Sequence, residues 1–385
     1  MYLQKLYLKD YRSYEHLLFE PDAHLNILVG ENATGKTNLL ESIYYLAAGR
    51  SQRTHRDAEL VRWGSDGFYI KASLLGSPVR HTVEFLYHRT KGKSFRVDGV
   101  RRNTLADVIG FANAVIFSPD DLTLLKGGPG ERRSFLDSEI GQVNRPYLRS
   151  LARYNRVLSQ RNDVLRNLRR SRNSKSTEDL LLEPWDLQLA KSGAAIVTTR
   201  LTMLHRWAAG ARETYQEIAG PGEDLTMSYQ CSFFGEIPLS LQDKDRSITK
   251  KDMEARLLDR LGESRLEEVG RGYTVVGPHR DDLAMFVSGR DARYFASQGQ
   301  QRSVVLALRI AEVRWMEEEM NRPPLLLLDD VMSELDTVRA QRLARLVGSG
   351  VQTFITCTDL SDLNLGRSDG VMWETGGGDV KTIGP

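Results

Sequence analysis

The run GENATGKT at 30–37 holds the residues of this 385-residue chain best suited to chemistry. It fits G-x-x-x-x-G-K-[ST], a loop that cradles polyphosphates. Glycine lets backbone N–H groups curl around an anion with no Cβ in the way. A helix beginning directly after the loop adds partial positive charge from its N-terminus. Gly30, Glu31, Asn32, Ala33, Thr34, Gly35, Lys36, Thr37 and Asn38 are therefore the candidate nucleotide contacts. Lys36 can reach the β- and γ-phosphates, and the Thr37 hydroxyl can ligate Mg²⁺. A second candidate is LLLLDD at 325–330. Its four leucines predict a strand buried on both faces, as in a parallel sheet. Carboxylates at the C-terminal end of such a strand stand where α/β sheets bind ligands. Asp329 is then the carboxylate that holds Mg²⁺, and Asp330 the one that orients or deprotonates an attacking water. Lys36, Asp329 and Asp330 are the catalytic candidates, and ATP and Mg²⁺ the implied cofactors.

These groups need elements to hold them. LNILVG (25–30) reads as an apolar strand and TNLLESIYYLAAG (37–49) as a helix closed by Gly49, which gives the loop its strand–loop–helix setting. Leu3, Leu6, Leu8, Leu17 and Phe19 mark earlier strands. FYIKASLL, HTVEFLYH and SFRVDGVRRN form a predicted meander over 68–102 with Asp98-Gly99 as a hairpin turn. VIFSP (115–119) is another short strand. Residues 131–218 read as mainly helical, with a polar gap at SRNSKSTED (171–179), and a charged helix covers 249–268 and ends at Gly270. Strands return in YTVVGP and DLAMFVSG, then a helix over 299–320, the LLLLDD strand, a helix over 336–347 and the strand TFITCT (353–358). Nearly three hundred residues separate the loop from LLLLDD, so an insert is predicted between two halves of one ATP-binding lobe. The expected division is 1–118 with 270–385 for that lobe and 119–269 for a mainly helical insert.

SQGQQR (297–302) opens a helix whose Val304, Leu308, Ala311 and Trp315 share a face, which leaves Ser297 and Gly299 at its N-terminus. An ordinary capped core helix fits the same residues. With SELD (333–336) and TCTD (356–359), the order of motifs resembles the P-loop, signature, Walker B and D-loop of the ABC-type heads of SMC, Rad50 and RecF proteins. LYLKDYRSYE, RRSFLD (132–137), GPHRDDL (277–283) and LLLDDVMSELD (326–336) are similar to RecF motifs in particular. The insert is short and lacks sustained heptads, unlike the SMC and Rad50 coiled coils. The resemblance implies an α/β ABC-type ATPase head: a P-loop α/β core with an antiparallel β subdomain, plus an inserted helical lobe. It implies a weak, DNA-stimulated ATPase of recombinational repair and replication that helps load recombinase. It further implies an ATP-dependent homodimer, in which Ser297, Gly299 and Gln300 of one subunit meet the γ-phosphate held by Lys36 of the other. Double-stranded DNA, single-strand/double-strand junctions, RecR and RecO are the implied partners. The chain departs from the wider pattern in having Asp330 where many ABC ATPases have Glu. Asp is a methylene shorter, so slow hydrolysis is expected. Thr358 stands at the usual switch histidine, and FSPDDL (117–122) is the candidate Q-loop position.

Composition is that of an ordinary globular protein, with 41% hydrophobic and 27% charged residues and net charge +2. No apolar run is long enough to span a membrane, no signal core opens the chain, and two distant cysteines suit a reducing, cytoplasmic setting. Charge is uneven: residues 132–175 hold twelve Lys/Arg against three Asp/Glu. Arg145, Arg149, Arg153 and Arg156 share one predicted helix face, with Leu148, Leu151, Leu158 and Leu165 on another. Lys91, Lys93, Arg96, Arg101 and Arg102 surround the Asp98-Gly99 turn. Each group suits phosphate contacts without sequence readout, and each also suits a solvated face with internal ion pairs. His279 reads either as a catalytic histidine or as a hydrogen-bonded turn residue. Arg280, Asp281 and Asp282 suit a salt-bridged turn or a support for the signature helix. A transporter ATPase subunit, an SMC-type chromosome protein and a nuclease are the rival functions. The first predicts a membrane partner, the second long coiled coils and the third a separate carboxylate cluster.

Overall fold

Alternation of apolar and polar residues shapes the first hundred residues. Strand β1 (Tyr2–Tyr11) pairs with β2 (Tyr14–Phe19) on one side and β4 (Gly67–Leu75) on the other. A register shift between Leu3 and Lys5 keeps Leu3 and Leu6 on the buried face despite their odd spacing. Strands β5 (Arg80–His88), β6 (Gly92–Val97) and β7 (Val100–Arg102) complete an antiparallel sheet of order β2-β1-β4-β5-β6-β7. Its last hairpin turns on Asp98 (φ 52°) and Gly99 (φ 77°), both in the left-handed region that a tight two-residue turn requires. The computed structural model describes residues 1–76, 79–170, 175–220, 222–239, 248–331, 343, 350–359 and 370–383. The expected helix at 336–347, apart from Leu343, and the SELD motif lie outside the described residues, as does part of the 171–179 gap.

A second sheet follows the doubly wound logic of α/β proteins. Strands β3 (Leu25–Val29), β8 (Ala114–Phe117), β13 (Leu325–Asp329), β14 (Thr353–Cys357), β15 (Val371–Gly376) and β16 (Asp379–Ile383) have the order β16-β15-β3-β14-β13-β8. All neighbours are parallel except β15 and β16. Leu325 to Leu328 are fully enclosed, as a strand covered on both faces demands. Helix α1 (Lys36–Ala48) buries Leu39, Leu40, Ile43 and Leu46 in the core that both sheets share. Each such side chain contributes about 1.5–3 kcal/mol when fully buried. The Gly-rich stretch at 376–378 is structural: Gly377 (φ 60°) and Gly378 (φ 81°) turn the β15–β16 hairpin, which the sequence reading missed.

These elements belong to one unit, Met1–Leu122 with Val305–Pro385, while Thr123–Val304 forms another. The second holds helices α2 (Thr123–Lys126), α3 (Pro129–Val143), α4 (Arg145–Arg170), α5 (Lys175–Ala219), α6 (Lys250–Glu263), α7 (Arg265–Arg271) and α8 (Ala292–Phe295). Strands β9 (Leu225–Cys231), β10 (Gly235–Pro238), β11 (Asp282–Val287) and β12 (Arg290–Asp291) pair in the order β10-β9-β11-β12. The long helix α9 (Gln298–Met320) is buried on most sides from Val304 to Met316. Return to the first unit falls at Val305, not at 270, because β11 pairs with β9 along its whole length. The insert is thus helical with its own small sheet.

Three further expectations change. The charged helix at 249–268 is two helices, with Ser264 ending α6 and Gly272 (φ 77°), not Gly270, capping α7. YTVVGP is not a strand, because side chains take its backbone groups. Thr274 N–H donates to Asn162 Oδ1, Val275 N–H to Glu268 Oε1 and Gly277 N–H to Ser232 Oγ, at 2.8 Å each. The core face of α4 runs through Tyr147, Tyr154, Val157, Arg161, Leu165 and Leu168, whereas Leu148, Leu151 and Leu158 are only partly buried. Arg161 sits in that core because Asp186 (2.6 Å) and Glu268 (2.7 Å) pair with it. Among the described residues, no helix is long and apolar enough to cross a membrane.

Candidate nucleotide-binding site

Strand β3 delivers the loop at 30–35 to the carboxyl end of the parallel sheet, where α1 begins. Gly35 adopts φ 108°, and a Cβ there would lie 2.9 Å from Tyr14 Oη. The same tyrosine hydroxyl donates to Gly35 O at 3.0 Å. At Gly30 a Cβ would lie 2.5 Å from Thr375 Oγ1 and 2.7 Å from the Thr375 carbonyl. Both glycines are therefore required by close approach. Ala33 has φ 65°, and Thr34 Oγ1 donates to Glu31 O at 2.8 Å and lies 2.8 Å from Thr375 Oγ1. Glu31, Asn32 and Ala33 form the exposed crest. Asn38 Nδ2 donates to Ser13 Oγ at 3.0 Å.

Lys36 is buried, and its ammonium donates to the carbonyls of Gly30 (2.6 Å) and Glu31 (2.8 Å). The lysine thus lies folded along the loop it belongs to. Burial lowers its pKa, against the opposing pull of Asp330 and Asp329. Thr37 Oγ1 donates to Asp329 Oδ1 at 3.0 Å, and Thr356 Oγ1 donates to the same oxygen at 2.9 Å. Burial pushes the Asp329 carboxyl up, while the two threonine hydroxyls favour its ionised form. Strand β13 ends there. Asp330 takes φ 53°, which Asp tolerates better than most residues, and its N–H donates to Thr356 Oγ1 at 2.8 Å. Thr356, which the sequence reading passed over, is the hinge of this group. Its signal was visible only in register, since β14 lies between β3 and β13. Thr358, the residue at the switch position, is exposed.

The residues fit a nucleoside triphosphate and a hard cation. A close-packed glycine loop at a helix N-terminus with one buried ammonium suits polyphosphate. One hydroxyl and one carboxylate suit Mg²⁺, which keeps several waters and takes the rest of its ligands from phosphate. The described residues include no cluster of three His, Cys, Asp or Glu that would hold a metal alone. In FSPDDL, Asp121 is buried, accepting from Ser118 N–H at 2.9 Å and from Arg309 at 2.6 Å.

In the second unit Ser297 caps α9. Ser297 N–H donates to Gln300 Oε1 (2.8 Å) and Gln300 N–H to Ser297 Oγ (3.2 Å), a reciprocal capping box. Gln300 Nε2 also donates to Glu223 Oε1 at 3.0 Å. Ser297 is exposed and Gly299 half-buried. Just before them Tyr294 and Phe295 are each 69% exposed, an aromatic pair the sequence reading did not single out. On α4, Arg145, Arg149, Arg153 and Arg156 are all exposed on one side. Much of the remaining local basic excess is used internally: Arg132 pairs with Asp282 (2.7 Å), Arg133 donates to Asp281 O (2.8 Å) and Arg161 is enclosed.

The GPHRDD segment is a hydrogen-bonded turn whose charges point to separate partners. Arg280 lies over the Tyr273 ring and donates to Thr274 O, while the buried Asp281 accepts from Tyr229 Oη and Ser232 N–H. His279 is partly buried, with Nδ1 2.6 Å from Tyr154 Oη and Nε2 3.2 Å from Thr274 O. Burial drops its pKa to about 4 from 6.5. Unfolding releases it to the ordinary value, so its contribution to stability is full above pH 6.5 and is lost as pH falls towards 4. Urea unfolding at about pH 6.5 and about pH 5 should show a loss of about 2 kcal/mol from this residue, at 1.36 kcal/mol per pH unit. His279→Gln should remove that part of the pH dependence. An equal pH dependence in the variant would assign it to other groups.

Comparison with known proteins agrees with this architecture. The family model of the RecF/RecN/SMC N-terminal domain matches residues 2–368. The DNA replication and repair protein RecF of Symbiobacterium thermophilum is 42% identical over 363 residues, 94% of this chain and 93% of that protein. RecF of Bacillus subtilis is 37% identical over 364 residues, 94% of this chain and 95% of that protein. The solved structure of the recombination mediator protein RecF with ATP, of the RecFOR pathway, superposes with a TM-score of 0.89 at 32% identity, covering 100% of this chain and 98% of that one. An Smc head bound to the ScpA winged-helix domain, at 14% identity and TM-score 0.54, covers 100% of this chain and 97% of that one and shares the fold alone. With the family model matched over nearly the whole chain and relatives aligned almost end to end, this chain belongs to the RecF family of DNA replication and repair proteins.

Proposed function

We propose that the chain binds ATP with Mg²⁺ at the loop of 30–37 and uses it to hold two copies together on double-stranded DNA. The observation that carries the first part is the meeting of Thr37 and Asp329. They are 292 positions apart in sequence yet 3.0 Å apart in space, beside a loop closed around its own lysine. Lys36, released from the carbonyls of Gly30 and Glu31, supplies positive charge to the β- and γ-phosphates. Thr37 and Asp329 hold the cation, whose charge offsets that of the phosphates when it is bound. Thr356 keeps Asp329 oriented through its hydroxyl. Asp330 orients the attacking water and accepts its proton. With a side chain one methylene shorter than Glu, it places that water less well, which supports a slow ATPase.

Ser297 and Gly299 head α9, whose N-terminal partial positive charge suits an anion from a second copy, and the exposed Tyr294 and Phe295 beside them are the kind of surface that a partner covers. Nucleotide then acts as a switch for assembly more than as fuel. Action near single-strand gaps in the cytoplasm, together with RecR and RecO and in support of recombinase loading, follows from the RecF reading.

Duplex DNA is assigned to the exposed side of α4. Replacing Arg149, Arg153 and Arg156 with Ala should weaken duplex binding for every sequence. It should also flatten the log–log salt dependence by about 0.9 for each phosphate that is no longer neutralised. Filter binding or anisotropy from low to moderate salt measures this. An unchanged slope would remove α4 from the duplex site.

A further inference from the structure

The hairpin of β15 and β16 places one hydroxyl directly against the loop that holds the candidate nucleotide contacts. Strand β15 runs parallel to β3, with Trp373 opposite Leu28 and Glu374 opposite Val29. Thr375 is the next residue, so it comes level with Gly30, where β3 gives way to the loop. Its neighbours fix it there. The Trp373 ring meets Phe19 edge-on at 4.8 Å, and its Nε1–H donates to Asn26 Oδ1 at 3.1 Å. Gly377 and Gly378 turn the chain back, and Val380 of β16 pairs with Thr375 and enters the core. Thr375 itself is buried. The fit at Gly30 leaves the backbone no slack on that side, since a Cβ there would lie 2.5 Å from Thr375 Oγ1.

Each threonine hydroxyl has a single proton to give. Thr34 gives its proton to Glu31 O at 2.8 Å, because a carbonyl can only accept. Thr34 Oγ1 therefore accepts from Thr375, which lies 2.8 Å away in space and 341 positions away in sequence. Val29 O, at 3.3 Å, is the longer contact of the Thr375 hydroxyl. The bonds thus run in one direction, from Thr375 to Thr34 to Glu31 O, and such a chain is strengthened by mutual polarisation. The Lys36 ammonium ends on the same Glu31 carbonyl at 2.8 Å. When that ammonium turns to a phosphate, the carbonyl loses one donor and keeps the other. It can then stay in place, and the N–H groups of the loop stay converged on the anion.

We propose that Thr375 is a positioning residue for ATP binding, whose hydroxyl acts through Thr34 to hold the loop crest in its anion-binding shape. This rests on the reading of 30–37 as the phosphate site and extends that site to the β15–β16 hairpin. The groups assigned to hydrolysis lie elsewhere: β15 flanks β3 on one side, and β14 and β13, with Thr356 and Asp329, flank it on the other. Loss of the Thr375 hydroxyl therefore weakens binding and spares turnover.

The test measures ATP binding by calorimetry, and hydrolysis against ATP concentration, on the full chain with Mg²⁺. Thr375→Val keeps the shape and removes the proton. It should raise the Kd and KM for ATP roughly fivefold, the scale of one hydrogen bond, while turnover at saturating ATP holds. Thr375→Ser keeps the proton and should bind ATP as the wild type does. Thr34→Val breaks the same chain from the half-buried loop side, so that arm does not depend on the hairpin tolerating a change. The double variant should lose no more than the worse single one, because both changes remove one set of bonds. Wild-type ATP affinity in Thr375→Val, a loss that Ser does not restore, additive losses in the double variant, or a fall in turnover and thermal stability without a change in KM would each overturn the proposal. Lys36→Ala measured alongside separates two failures. If it binds ATP like the wild type, the phosphate site is elsewhere and both readings fall. If it loses binding while Thr375→Val does not, the role of Thr375 alone falls.

Discussion

Lys36→Ala is expected to raise the ATP dissociation constant by roughly a hundredfold or more. Removing the charged partner of a desolvated anion costs about 2–5 kcal/mol, and each 1.4 kcal/mol is a factor of ten. The fold should not suffer. Among the described residues the Lys36 ammonium makes hydrogen bonds only to two loop carbonyls, and burial already works against its charge. Thermal unfolding without nucleotide should therefore stay close to wild type while calorimetric ATP binding disappears. Lys36→Arg separates charge from shape: its planar fork keeps the charge but cannot sit as a compact ammonium does, so binding survives and hydrolysis fails. If Lys36→Ala bound ATP like the wild type, the loop would not be the phosphate site.

Ser297→Arg is expected to abolish ATP-dependent dimerisation, and with it hydrolysis and ATP-stimulated DNA binding, while the single subunit still binds ATP. Ser297 caps α9 through Gln300, so its loss costs about 1 kcal/mol of local stability, too little to unfold the unit. The larger effect is an exposed guanidinium placed where close approach of a second copy is required. Mixing Ser297→Arg chains with Lys36→Ala chains sharpens the result. Each mixed dimer keeps one composite site with an intact loop facing an intact cap, so partial hydrolysis should return. Normal dimerisation and hydrolysis by Ser297→Arg alone would exclude the arrangement across subunits.

Short local signals made the fold legible. A turn needing positive φ marked Asp98-Gly99, a run of leucines marked β13, and Gly49 marked the end of α1. Where long-range partners decide, the pattern misled. YTVVGP has the composition of a strand, but Asn162, Glu268 and Ser232 take its N–H groups. Arg161 belongs to the basic excess in sequence, yet it is wholly buried against carboxylates from two other helices. Gly376 to Gly378 have the composition of a loose tail and instead turn a hairpin whose β15 joins the parallel sheet beside β3. In the candidate site, residue types and spacing pointed to Lys36, Thr37 and Asp329. The roles of Thr356 and Thr375 depend on which strands lie next to β3, a fact no local window contains. Tyr294 and Phe295 end the short α8, and nothing in their local sequence separates an exposed aromatic pair from a core one.

Joining of two copies of this chain by nucleotide is the step on which the proposed function rests. Its most direct test is the molecular mass in solution, by sedimentation or light scattering, of the chain alone, with ATP and Mg²⁺, and with both plus a DNA duplex. The expected mass is that of one chain without nucleotide and of two chains with ATP, with the duplex carried by the larger species. A mass that stays at one chain with ATP and duplex both present, or that is already two chains without nucleotide and unchanged by it, would contradict it.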